Sequence, residues 1–133
     1  MTLVVAGKAL VLWAVILVCA VANGALREAV LIPRLGGTPG LVISGLALSG
    51  VIVLVAYLGV PWLGARGVSE LVLVGLGWLA ATLIFEFSFG LLRGKSLAEL
   101  LSAYTFEGGN IWPLVLVITA IAPWLAARLR GLV

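Results

Sequence analysis

Few side chains in this sequence can do chemistry. The acidic groups are five glutamates, Glu28, Glu70, Glu86, Glu99 and Glu107, and there is neither Asp nor His. Without imidazole the chain has no histidine-ligated zinc or haem and no Ser-His-Asp or Cys-His catalysis. A single cysteine, Cys19, cannot form an internal disulfide, a CxxC pair or an iron–sulfur ligand set. It lies in an apolar run and reads as a small buried hydrophobe. No metal or cofactor is expected, and acid–base or cation chemistry from an acidic side chain falls to the glutamates.

Glu86 differs from the other four. It sits in Thr82-Leu83-Ile84-Phe85-Glu86-Phe87-Ser88-Phe89-Gly90, inside a long apolar stretch. A charge at membrane depth costs at least about 2.5–3.5 kcal/mol on insertion scales. Glu86 must therefore be protonated, paired or in a wet cavity. Arg93 follows seven residues on, close to the same helical face. The first apolar stretch supplies Asn23, Arg27 and Glu28 at comparable depth. The candidate binding site is thus a polar cluster of Glu86, Arg93, Arg27, Glu28 and Asn23 toward one membrane face, with Thr82 and Ser88 as possible additions. No catalytic residue is assigned.

The elements that must hold these groups follow from composition. Of 133 residues, 64% are hydrophobic and 10% charged, whereas soluble domains average about 45–50% and roughly 25%. Soluble and disordered chains are both excluded. The net charge of +3 comes from scattered Lys and Arg, which gives nucleic acid binding no support. A spanning helix needs about 20 apolar residues, and four stretches qualify: about 9–32, ending at Pro33; 40–62; 70–92; and 111–129. The fold class is all-α, a single four-helix transmembrane domain over residues 1–133. An Ala20-Val21-Ala22 pattern resembles a signal-peptidase site, but the apolar run continues past it, and cleavage is not expected.

The connections carry turn signals. Pro33 to Pro39 reads as a loop, and Gly64 to Ser69 as a tight connection. Ser96-Leu97-Ala98-Glu99 matches a capping box. It opens a short amphipathic helix through Leu97, Leu100 and Leu101 to about Tyr104, expected at the membrane interface before the fourth span. Asn110 is placed to cap that span, with Pro113 in its first turn.

Two local matches recur in order. Gly24-Ala25-Leu26-Arg27 corresponds to Gly90-Leu91-Leu92-Arg93, and Pro61-Trp62-Leu63-Gly64-Ala65-Arg66 to Pro123-Trp124-Leu125-Ala126-Ala127-Arg128. They predict two tandem two-helix hairpins, about 1–66 and 67–133, related by an axis along the membrane normal. Aligning Arg27 with Arg93 sets Glu86 against Ala20, so the units share the arginine and differ in the acid. Pro61 and Pro123 each free a carbonyl four residues back, at Tyr57 and Thr119, for a neighbouring helix, a water or a cation. Small residues in the second span fall on two stripes, Gly40, Ser44 and Ala47, and Gly45 and Ser49. Two close-packing faces suit a bundle that also forms a homo-oligomer, with a dimer favoured.

Four spans put both termini on one side, with Lys8, Arg66, Arg128 and Arg130. The other side has Arg27, Arg34, Arg93 and Lys95. The tie leaves two readings: termini inside, with Arg27 and Arg93 partly in the membrane, or insertion both ways with antiparallel dimers. The first is preferred, in the inner or plasma membrane of a prokaryote. Arg34, Arg66, Arg128 and Arg130 read as snorkelling anchors. Trp13, Trp62, Trp78, Trp112 and Trp124 read as an aromatic belt without ligand roles. The Glu-Phe-x-Phe-Gly and Gly-Gly-Asn-Ile-Trp-Pro runs look like signatures, with no activity attached.

Three functions fit. The first is a channel or transporter for an ion or small solute whose path passes Glu86. The second is a structural or accessory membrane subunit in which a Glu/Arg salt bridge locks the first helix to the third. The third, an enzyme acting on lipid with Glu86 as general acid, is the weakest for want of His and Asp.

Overall fold

The computed structural model describes residues 2–65, 67–102 and 111–133. Among these the chain is all-helical, with no strand and with four helices long and apolar enough to cross a membrane. We call these α1 (Leu3–Leu35), α2 (Gly37–Leu63), α3 (Gly67–Leu92) and α5 (Trp112–Leu129). The short α4 (Leu97–Ser102) precedes α5.

α1 begins at a Thr2 cap, whose hydroxyl accepts from the Val5 amide at 3.2 Å. It does not end at Pro33. Residues Arg27–Leu31 form a π-helical turn, closed by the Ile32 amide donating to the Arg27 carbonyl. In a regular helix the Pro33 ring would strike the carbonyl of Ala29. The wider turn falls at that carbonyl, and helix continues through Ile32–Leu35. The break comes instead at Gly36, where φ of +93° needs a residue without a side chain. The expected Pro33–Pro39 loop therefore shrinks to one residue, with Pro39 already inside α2.

α2 ends at Gly64 in the left-handed conformation, a glycine helix stop. The capping box at α4 is formed: the Glu99 amide donates to Ser96 Oγ at 3.2 Å, and the Ser96 amide reaches Glu99 Oε1 at 3.5 Å. Leu100 is buried over Gly90 of α3, whereas Leu97 and Leu101 are exposed. The stretch toward Tyr104 and the Asn110 cap lie outside the described residues. Pro113 stands in the first turn of α5, as its missing N–H allows.

α2 and α5 pack together at the centre of the bundle. α1 lies against α2, and α3 against α5. α1 and α3 meet more sparsely across a seam. Side chains removed at the contacts let the backbones close. A Cβ on Gly75 of α3 would collide with the Ala120 carbonyl of α5. One on Gly59 of α2 would lie 2.6 Å from Leu12 of α1. Ile52, Leu63, Leu71, Val115 and Pro123 fill the interior. Large apolar side chains such as Val18, Leu58, Ile84 and Val117 point outward, as hydrocarbon contact requires rather than water.

The two small-residue stripes of α2 face different helices of the same chain. Gly40 and Ser44 face α1, through Ile32 and Asn23, and Gly45 faces Ile111 at the foot of α5. Ala47 is exposed.

Candidate functional site

The polar groups gather where α1 turns into α2 and α3 runs out. Asn23 and Ser44 bond reciprocally across α1 and α2: Asn23 Nδ2 donates to the Ser44 carbonyl at 3.1 Å, and Ser44 Oγ donates to Asn23 Oδ1. Ser44 is 1% exposed, so this pair stands in for backbone partners that hydrocarbon does not supply. One turn beyond Asn23, Arg27 Nε donates to Glu28 Oε1 at 3.2 Å, with the Glu28 side chain 66% exposed. This ion pair sits on the π turn, a helical irregularity frequent at functional sites.

Glu86 is half-buried on α3, six residues before its end. Trp112, the first residue of α5, donates its indole N–H to Glu86 Oε2 at 2.6 Å. The same Trp112 lines a small cleft of about 40 Å³ with Asn23, Arg27, Ser44 and Ile111. Trp112 thus joins the α1–α2 polar pair to the acid on α3.

Of the residues singled out from sequence, Asn23 and Arg27 share one cleft, Glu28 pairs with Arg27, and Glu86 adjoins the cleft through Trp112. Arg93 lies just past α3, its guanidinium 5.4 Å from the centroid of the Phe89 ring. Phe89 in turn stacks on Phe85 at 5.5 Å. The described partner of Arg27 is Glu28, and that of Arg93 is the Phe89 ring. Ser88 is exposed. Thr82 accepts a hydrogen bond from the indole of Trp13 at 3.0 Å and gives its own proton to the Trp78 carbonyl at 2.8 Å.

Two tryptophans read as belt residues are therefore mid-span fasteners. Trp13 reaches α3 at Thr82, and Trp78, 2% exposed, donates to the Ala9 carbonyl of α1 at 2.9 Å. Below these bonds lies an apolar groove of about 210 Å³ between α1 and α3, lined by Ala6, Ala9, Leu10, Val74 and Gly77 together with both indoles.

The carbonyl freed by Pro61 has a partner. Arg130 Nη1 donates to the Tyr57 carbonyl at 2.9 Å, and its guanidinium lies 4.6 Å from the Tyr57 ring centroid. Lys8 donates to the Trp62 carbonyl at 3.0 Å and stands over that indole. Two cations from opposite ends of the chain thus cover the negative end of α2. The Pro123 turn is different: Thr119 is buried, its hydroxyl bonded to the Val115 carbonyl at 2.8 Å.

Sequence reasoning passed over Trp112 and Ser44. The Gly-Gly-Asn-Ile-Trp-Pro run was a visible signal for the first, and the small-residue stripe through Ser44 for the second. Among the described residues, no group of three or more metal-ligating side chains is present. No protein family matches the chain, no curated protein is similar to it, and no solved structure matches its fold.

Proposed function

We propose that this protein is a small membrane channel or transporter for an ion or small solute, with a path that passes Glu86. One observation carries the reading. A carboxylate inside a spanning helix is half-buried and held by Trp112 beside a cleft lined by Asn23, Arg27 and Ser44. Ionisable groups at such depth are costly and mark pathways or locks. The working unit is a homo-oligomer, a dimer in the simplest case, with termini in the cytoplasm of a prokaryotic cell. Residues 1–66 and 67–133 are duplicated hairpins. In support, α1 packs against α2 as α3 packs against α5, and α2–α5 and α1–α3 are contacts between the two hairpins.

Proteoliposome flux tests the reading. Proton, potassium and chloride gradients are imposed in turn on wild type and Glu86→Gln. At least one wild-type flux is expected, and Glu86→Gln should lower it more than tenfold while chromatographic behaviour is kept. Equal flux in both proteins would overturn the assignment.

The reciprocal Asn23–Ser44 bond and the Trp112–Glu86 bond favour a second reading, an accessory subunit in which the polar residues only fasten helices. Glu86→Gln then lowers thermal stability in detergent without any flux to lose.

A further inference from the structure

We infer that the C-terminal tip of α2 binds one anionic glycerophospholipid, its phosphodiester between Lys8 and Arg130 and an acyl chain on the exposed stripe of α2 that leads from them toward the bilayer centre. The inference is independent of the transport reading. Lys8 comes from α1. Its Nζ donates to the Trp62 carbonyl at 3.0 Å and lies 5.2 Å from the centroid of the Trp62 ring. Arg130 comes from the end of α5. Its Nη1 donates to the Tyr57 carbonyl at 2.9 Å, and its guanidinium lies 4.6 Å from the Tyr57 ring centroid. Both rings are exposed, and such amphipathic rings sit at the level of the head groups. The two carbonyls are five residues apart on α2, about 7.5 Å along its axis, a gap that a phosphodiester and its glycerol cover.

Positive charge is left over at this tip. A helix C-terminus carries about half a negative charge, and two full positive charges face it, so about +1.5 is unbalanced. Among the described residues neither Lys8 nor Arg130 has a carboxylate partner. α2 and α5 contain no acid, and the one acid of α1, Glu28, is about 30 Å along the helix from Lys8. α3, which has Glu70 in its first turn, packs on α5 and α1 rather than on α2. Donors are left over too. An ammonium has three and a guanidinium five, and each spends one on a carbonyl here. The Trp62 indole N–H and the Tyr57 hydroxyl add two more, with no partner among the described residues.

The apolar surface next to the charges selects a lipid. Gly50, Leu54 and Leu58 follow at four-residue intervals on α2 and share one face. All three are exposed, and Gly50 has nothing within 4 Å of a Cβ position. The stripe therefore runs from the Tyr57 turn toward mid-membrane and dips at Gly50, a course that an acyl chain follows. A soluble anion would use the cations alone, whereas a phospholipid uses the cations and the stripe together. The charge of the head group is selected as well. A zwitterionic head group brings its own cation, for which this tip has no acid, and a basic site at the membrane surface favours anionic lipid.

The test is native mass spectrometry of the full-length, delipidated protein in detergent, titrated with dioleoyl phosphatidylglycerol, dioleoyl phosphatidylcholine or inorganic phosphate, with the unfolding midpoint read in parallel. Wild type should bind one phosphatidylglycerol about tenfold more tightly than phosphatidylcholine, and inorganic phosphate at the same concentration should leave the midpoint unmoved. Lys8→Gln with Arg130→Gln should abolish the preference. Arg34→Gln with Lys95→Gln removes the same charge from the other membrane side and should keep it. Tyr57→Phe with Trp62→Phe keeps both cations and their carbonyl bonds, removes only the two free donors, and should weaken phosphatidylglycerol binding several-fold. Equal binding of the two lipids, equal loss in the two charge variants, or the same stabilisation by phosphate alone would each overturn the site. Should Lys8→Gln with Arg130→Gln not fold, unchanged phosphatidylglycerol binding by Tyr57→Phe with Trp62→Phe overturns it.

Discussion

Glycines two residues apart on α3 show how position decides what a side chain does here. Gly75 and Gly77 look alike in the sequence, in the run Val74-Gly75-Leu76-Gly77. A Cβ on Gly75 would meet the Ala120 carbonyl oxygen, which is backbone and cannot swing aside, whereas Gly77 opens on the groove. Gly75→Ala is expected to push α3 and α5 apart and cost about 1–3 kcal/mol, the range for overpacking. Gly77→Ala should be neutral or slightly stabilising, since alanine is the better helix former by about 1 kcal/mol. Thermal unfolding in detergent separates them, and equal midpoints would show that the helices do not approach so closely. Legibility at this scale was uneven. The position of Glu86 inside a span followed from its flanks, because apolar run length is local information. Its bond to Trp112 did not, because the two lie 26 residues apart and no periodicity links an indole to a carboxylate across a connection. The same applies to Trp13 and Trp78, whose amphipathic rings suggested the interface although each finds a hydrogen-bond partner mid-span.

The helices were largely legible, and their ends less so. Four apolar runs predicted four spans, but α1 starts six residues earlier than expected and runs through Pro33. The proline rule assumes a regular helix, and the π turn at Arg27–Leu31 relaxes that assumption. The turn also sets the register of the last turn of α1 on α2. Ile32 covers Gly40, where a Cβ would lie 2.9 Å from Ile32 Cγ1 and 3.1 Å from its Cα. One helical turn further along α2, Ser44 meets Asn23. The irregular turn lies between those two contacts, so its test is at both ends. A double-mutant cycle of Asn23→Ala and Ser44→Ala should give a coupling of about 0.6 kcal/mol, and no more than about 1.7, as for hydrogen bonds between membrane helices. Deleting Ala29 shortens the turn by one residue and should rotate Ile32 off Gly40. The deletion should lower the unfolding midpoint and leave the Asn23–Ser44 coupling intact. A deletion variant as stable as wild type would show that the π turn sets no register.

The whole molecule is fastened by charge at one end and by polar side chains at the other, and that asymmetry bears on how it sits in a membrane. Counting basic residues gives four on each side, so the sequence alone leaves orientation tied. The structure distinguishes how those charges are used. Arg27 shares its charge with Glu28 on a helical turn continuous with α1, and Arg93 lies against Phe89. Lys8 and Arg130 instead stand at the tip of α2, with Arg128 exposed in the last turn of α5. Basic residues close to span ends are held on the cytoplasmic side. We propose that the termini lie in the cytoplasm, with Arg27 and Arg93 partly in the membrane and left out of the count, so that Arg34 and Lys95 stand against Lys8, Arg66, Arg128 and Arg130. A C-terminal fusion should therefore fluoresce with a reporter that matures only in the cytoplasm and stay inactive with a phosphatase that works only outside. Arg128→Gln with Arg130→Gln brings the count to two on each side and should yield both signals in one population. The same pair removes the donor to the Tyr57 carbonyl, so Lys8→Gln, which leaves that bond in place, must shift the ratio in the same direction for charge to be the cause. A ratio that moves with Arg130 and not with Lys8 would assign the effect to the bond at the Pro61 turn instead.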